Sequence, residues 1–113
     1  MIFAIDFDGT IVDYDFPYIG RVRDGAIETM TALQQAGHKI IIWTCRSNDS
    51  LTSMQLWLNN IGFKPDAINE NVDPSLGYAH KKVYADVYID DRSFPPFTGW
   101  GDIKGTYLSS KET

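Results

Sequence analysis

The chain opens on an apolar run, Met1-Ile2-Phe3-Ala4-Ile5, that ends in Asp6-Phe7-Asp8-Gly9-Thr10. A run without polar alternation is a strand covered on both faces, the mark of a parallel sheet. Here that buried strand ends in two carboxylates and a tight turn. Carboxylates resist burial unless a cation or hydrogen bonds compensate them. A hard divalent cation is the simplest compensator, and phosphate is what such a cation commonly holds. The first ten residues therefore imply metal-assisted phosphoryl chemistry at the end of a sheet strand.

The same kind of segment recurs. His38-Lys39-Ile40-Ile41-Ile42-Trp43 reads as a second buried strand ending at Thr44, Ala67-Ile68 as a short third, and Asp86–Ile89 as a fourth ending at Asp90-Asp91. Between them lie helical patterns. Residues 23–36 carry Ala26, Ile27, Met30, Leu33 and Ala36 on one face, with Gly37 as the stop. A helix capped by Asp49 or Ser50 runs to about Asn60, with Leu51, Met54, Leu58 and Ile61 on one face and Gly62 closing it. Residues 8–22, with Gly9, Pro17 and Gly20, read as a loop or small flap, and residues 69–80 as irregular. The tail from Phe94 is broken by Pro95, Pro96, Gly99 and Gly101, and one more short strand is expected near Ile103. Alternating strands and helices predict an α/β fold: a Rossmann-like, doubly wound, mainly parallel sheet with helices on both faces. Ligands in such folds bind at the carboxyl ends of strands. Asp6 and Asp8, Thr44, and Asp90 and Asp91 all fall there.

A chain of 113 residues with 43% hydrophobic and 22% charged content is expected to form a single domain over residues 1–113. Its net charge of −5 argues against broad binding to nucleic acid or anionic membrane, although a nucleic acid remains open as a substrate. The single cysteine, Cys45, cannot form an internal disulfide. The chain starts directly on a strand, without a signal-peptide pattern, and no apolar run approaches the ~20 residues that span a bilayer. A cytoplasmic protein with no membrane partner is the expectation.

In order, these motifs resemble the haloacid dehalogenase-like (HAD) phosphohydrolases over nearly the whole chain. Asp6-Phe7-Asp8-Gly9-Thr10 matches the first motif, Ile40-Ile41-Ile42-Trp43-Thr44 the second, Lys81 or Lys82 the third, and Val87-Tyr88-Ile89-Asp90-Asp91 the fourth. The resemblance implies a Mg²⁺-dependent phosphomonoester phosphatase working through an aspartyl-phosphate. It gives Asp6 the role of nucleophile and Asp8 that of general acid and then base. Thr44 and the lysine become donors to the phosphoryl oxygens. The Mg²⁺ shell falls to Asp6, the backbone carbonyl of Asp8, Asp90 and, through water, Asp91. Spacing to the fourth strand favours Lys82 as the inward lysine; Lys81 is the alternative. Gly9, Thr10, Cys45, Arg46 and Lys81 are expected on the substrate side.

Other readings of these residues exist. Arg46 can reach a phosphate by a bidentate contact or make a surface ion pair. Cys45 lacks the downstream arginine of a tyrosine-phosphatase loop, since position 51 is Leu, and reads as a small core or near-site residue. His38 and His80 have no zinc-ligand spacing. Asn69-Glu70-Asn71 reads as a polar loop that could rim the site. Response-regulator receivers share a parallel sheet and an acidic cluster, but their phosphorylated Asp ends strand three, where this chain has Ile68-Asn69. The competing class is a catalytically silent phosphate-binding or interaction module of the same fold. Neither the loop after Thr10 nor the one before Lys81 is long enough for a cap domain, so an open site is expected. The substrate is a phosphorylated molecule whose identity the residues do not specify. A homo-oligomer in which tail aromatics roof the site is a further expectation.

Overall fold

The continuous apolar runs become strands β1 (Ile2–Ile5), β2 (Lys39–Ile42), β3 (Ala67–Ile68) and β4 (Val87–Ile89). All pair in parallel, in the order β3-β2-β1-β4. This computed structural model describes residues 1–73, 83–93 and 96–108. Register sets the two faces of the sheet. Phe3 lies opposite Ile40 and Ile5 opposite Ile42, so these four share one face, while Ala4 and Ile41 share the other.

Helix α1 (Ala26–Gln35) starts after Gly25 and stops before Gly37, both in the left-handed region. Helix α2 (Asn48–Ile61) starts one or two residues before the expected cap. Ser47 is its N-cap, and Ser50 Oγ accepts the Ser47 N–H at 3.1 Å in half of a capping box. Gly62, at φ 83°, ends it as the sequence suggested. The strand expected near Ile103 is instead helix α3 (Trp100–Tyr107).

Buried residues of all three helices (Ala26, Met30 and Leu33; Met54 and Leu58; Trp100) join Phe3, Ile5, Ile40 and Ile42 in one core. Among the described residues the helices therefore cover one face. The opposite face, at Ala4 and Ile41, is covered by Val83 with the partly buried Val72 and Ala85, from the connection between β3 and β4.

Residues 6–25 connect β1 to α1, and the later part of this connection forms a short flap. Its stem is closed by a bridge between Val12 and Val22 and by the Asp13 N–H donating to Arg21 O at 2.8 Å. No cap domain is inserted there, and only residues 69–86 separate β3 from β4. No helix among the described residues is long and apolar enough to cross a membrane.

The chain moves outward from β1 to β2 to β3 and then returns to place β4 on the far side of β1. The carboxyl end of β1 thus lies where the strand order reverses, the position at which such sheets bind ligands.

Candidate active site

Asp6 directly follows β1, and the sheet holds it from both sides. Its N–H donates to Ile89 O at 2.9 Å, while Trp43 N–H donates to Ile5 O at 2.8 Å. The chain then turns tightly, with the N–H groups of Thr10, Ile11 and Val12 all converging on Phe7 O. Gly9 sits in this turn at φ 90°, and a Cβ there would run into the Asp91 carboxylate. Glycine is needed for clearance as much as for the turn.

Asp6, Asp90 and Asp91 bring carboxylate oxygens within 4.8 Å of one another. The crowding is electrostatically costly. Burial, then the charges of Asp90 and Asp91, push the Asp6 carboxyl up to about 7, and only the Thr10 hydroxyl acts in the opposite direction. Asp91 is also held above the ordinary carboxylate range, by burial and then by Asp90. Oxygen-only ligands that resist carrying their charges together are the donor set of a hard cation. These residues fit Mg²⁺.

Thr10, expected on the substrate side, is fully buried and braces the cluster from behind. Its Oγ1 donates to Asp6 Oδ2 and accepts the Asp91 N–H, both at 3.2 Å. Its carbonyl accepts the Trp100 indole N–H at 2.9 Å. Asp90 caps its own turn, accepting the Arg92 N–H at 2.9 Å.

Asp8 faces elsewhere. Its carboxylate is not a member of the acidic cluster and is gripped by Arg46. Arg46 Nε donates to Asp8 Oδ2 at 2.8 Å and Nη2 to Asp8 Oδ1 at 2.7 Å. Arg46 is only 3% exposed, so neither a surface ion pair nor an open phosphate ligand describes it.

Thr44 follows β2, and its Oγ1 accepts the Arg46 N–H at 3.1 Å. Asn69 clamps the Thr44 backbone, accepting its N–H at 2.8 Å and donating to its carbonyl at 2.9 Å. The sequence reads Asn69 as polar loop that could rim the site; the clamp on Thr44 is the finding, and the sequence signal for it is the position of Asn69 directly after β3.

A cleft of about 270 Å³ gathers Asp6, Asp8, Thr44, Asp90 and Asp91, with the exposed Cys45 and Arg92 at its edge. Tyr14 and Phe16 of the flap form its apolar wall. A larger groove, about 370 Å³, lies by Leu58, Phe63 and Ile68 and holds no acid, so the chemistry belongs to the smaller cleft. Lys81 and Lys82 lie outside the described residues, as do His80 and Phe94. Trp100 and Phe97 pack against the core, which removes Trp100 from any oligomer contact.

The sequence model of a family described as haloacid dehalogenase-like hydrolase matches residues 3–92. Among solved structures, the chain is similar to a conserved protein from Bacteroides thetaiotaomicron at 33% identity and a TM-score of 0.86, covering 99% of this chain and 94% of that one. No curated protein matches.

Proposed function

The chain belongs to the haloacid dehalogenase-like hydrolases, and from that membership we propose that it is a Mg²⁺-dependent phosphatase of phosphomonoesters acting through an aspartyl-phosphate on Asp6. The observation that carries this reading is the convergence of Asp6, after the first strand, with Asp90 and Asp91, after the last strand, beside a separately held Asp8.

Bound Mg²⁺, held by Asp6, Asp90 and Asp91, lowers the repulsion between the Asp6 carboxylate and a phosphate dianion. An Asp6 oxygen attacks phosphorus, and the bond to the leaving oxygen breaks as Asp8, having exchanged one of its two Arg46 contacts for a proton from solvent, passes that proton to the leaving oxygen. Asp8, now a carboxylate, takes a proton from water as the water oxygen attacks phosphorus. The bond to Asp6 breaks, and phosphate leaves. Thr44, fixed by Asn69, lies in the same cleft and serves as a donor to the phosphoryl oxygens. Lys82, or Lys81 in its place, supplies the remaining positive charge. The chemistry is hydrolysis of a small phosphorylated head, and no inserted domain covers the cleft among the described residues, which leaves room for a bulky leaving group.

The test is hydrolysis of an aryl phosphate with and without Mg²⁺, with Asp6→Asn as control. The expected result is Mg²⁺-dependent turnover that falls by roughly a thousandfold or more in the variant. Turnover surviving in Asp6→Asn removes the nucleophile assignment. No turnover in the wild-type protein, with cation binding retained, leaves the silent phosphate-binding module.

A further inference from the structure

Four carboxylates, Asp6, Asp8, Asp90 and Asp91, line one cleft, yet only three of them form the cation-binding group. Mg²⁺ is best served by one or two carboxylates and several waters. A fourth carboxylate two residues from Asp6, left unpaired, would be drawn toward its shell, because a bound divalent cation is the largest local charge in such a cleft. Asp8 is short and needs something to hold it aside. Among the described residues, the only partner of its carboxylate is Arg46.

Arg46 is unusually well fixed for this task. Besides the two bonds to Asp8, Nη1 donates to Pro17 O at 3.2 Å and Ser50 O at 3.1 Å, and Nη2 donates to Tyr18 O at 2.8 Å. All five guanidinium N–H groups are thus used. The plane lies between the rings of Phe7, 5.3 Å away, and Phe16, 5.1 Å away. Swinging toward a substrate would strip three carbonyls of a charged donor inside the protein, a penalty of several hydrogen bonds at once. A lysine, a point charge with no planar fork, reproduces neither the bidentate grip nor the three carbonyl contacts.

Resting on the phosphatase reading above, we propose that Arg46 is a positioning residue that keeps the Asp8 carboxylate out of the cation's shell and aimed along the cleft, where Asp8 takes up and passes on a proton by exchanging one Arg46 contact for it. The same guanidinium ties down the flap through Pro17 and Tyr18, so the orientation of Asp8 and the position of the flap are set by one group.

The test is Mg²⁺ affinity by calorimetry, read beside turnover. Arg46→Ala frees Asp8 to ligate, so Mg²⁺ binding tightens by roughly tenfold while turnover falls. Structural damage alone would weaken both. The double variant Asp8→Asn/Arg46→Ala removes the freed carboxylate and returns Mg²⁺ affinity to within about twofold of wild type. Asp8→Asn alone leaves the affinity within about twofold, because its side chain is not a ligand. Unchanged or weaker Mg²⁺ binding in folded Arg46→Ala overturns the proposal, as does tightening that persists in the double variant. Should Arg46→Ala fail to fold, Asp8→Asn decides: a roughly tenfold loss of affinity means that Asp8 ligates after all. A wild-type protein that binds Mg²⁺ but turns over no phosphate ester ends the phosphatase reading and leaves the affinity result standing.

Discussion

Asp6 is where stability and activity pull in opposite directions. Its carboxyl is pushed to about 7 in the folded chain from 3.8 in its ordinary setting. Between those values the folded chain holds a proton that the unfolded chain has lost. The contribution of Asp6 to stability is therefore fully present below the unfolded value and is lost as pH rises through the folded one. A divalent cation displaces that proton, so it stabilises increasingly across the same window. Thermal unfolding with and without Mg²⁺, from about pH 5 to about pH 8, is expected to show a widening gap. Asp6→Asn, which keeps the shape and removes the charge, is expected to melt higher than wild type without cation at neutral pH and to close the gap. A gap independent of pH would mean that Asp6 does not titrate in this range. Asp6 and its cluster partners were legible in the sequence because Asp6 and the Asp90-Asp91 pair each close an apolar run. The Arg46–Asp8 and Asn69–Thr44 pairings were not, because they join positions 38 and 25 residues apart that only the folded sheet brings together.

Helix α3 shows how packing overrides local preference. Gly101 and Gly105 fall inside it, and each glycine costs a helix about 0.5–1 kcal/mol relative to alanine. Those glycines, with the prolines ahead of them, are why the segment read as extended. What holds the helix is its inner face. Trp100 is buried, Ile103 and Tyr107 pack behind it at helical spacing, and Tyr107 meets Phe3 edge-on at 5.0 Å. Trp100→Ala is expected to cost about 3–5 kcal/mol in urea unfolding. Trp100→Phe keeps most of the burial and forfeits the bond to Thr10 O, about 1 kcal/mol. Equal losses in the two variants would mean that the indole N–H, not the ring, carries the contact. Gly101 and Gly105 have open space where a Cβ would stand, so alanine at either is expected to stabilise by about 0.5–1 kcal/mol. Gly9→Ala should do the reverse, since its Cβ meets Asp91. The central strands β1 and β2 were readable because parallel strands buried on both faces leave no polar break, whereas α3 is specified by partners far away in the chain.

At the scale of the whole molecule, the reversal of strand order brings the ends of the first and last strands to one site, and among the described residues nothing large stands over it. The radius of gyration, 13.6 Å, is close to the roughly 13 Å of a compact chain this long. Enzymes that enclose small substrates usually do so by moving a domain or lid. Here the flap is the only local cover among the described residues, and Arg46, the Val12–Val22 bridge and the Asp13–Arg21 bond already fix it. Tyr14, Phe16 and Tyr18 on that flap are exposed by 63%, 45% and 72%, an apolar rim that the core does not use. Such a rim suits the leaving group of a substrate or a second copy of the chain. Small-angle scattering tests whether the flap closes, and light scattering whether a second copy meets it. Adding Mg²⁺ and a phosphate mimic is expected to change the radius of gyration by less than about 1 Å, because a preorganised site has little to close. A larger contraction would reveal a closing motion that the fixed flap does not allow. A doubled mass in light scattering, lost in Tyr18→Ser, would show that the flap aromatics meet across a dimer and that the partner copy supplies the roof.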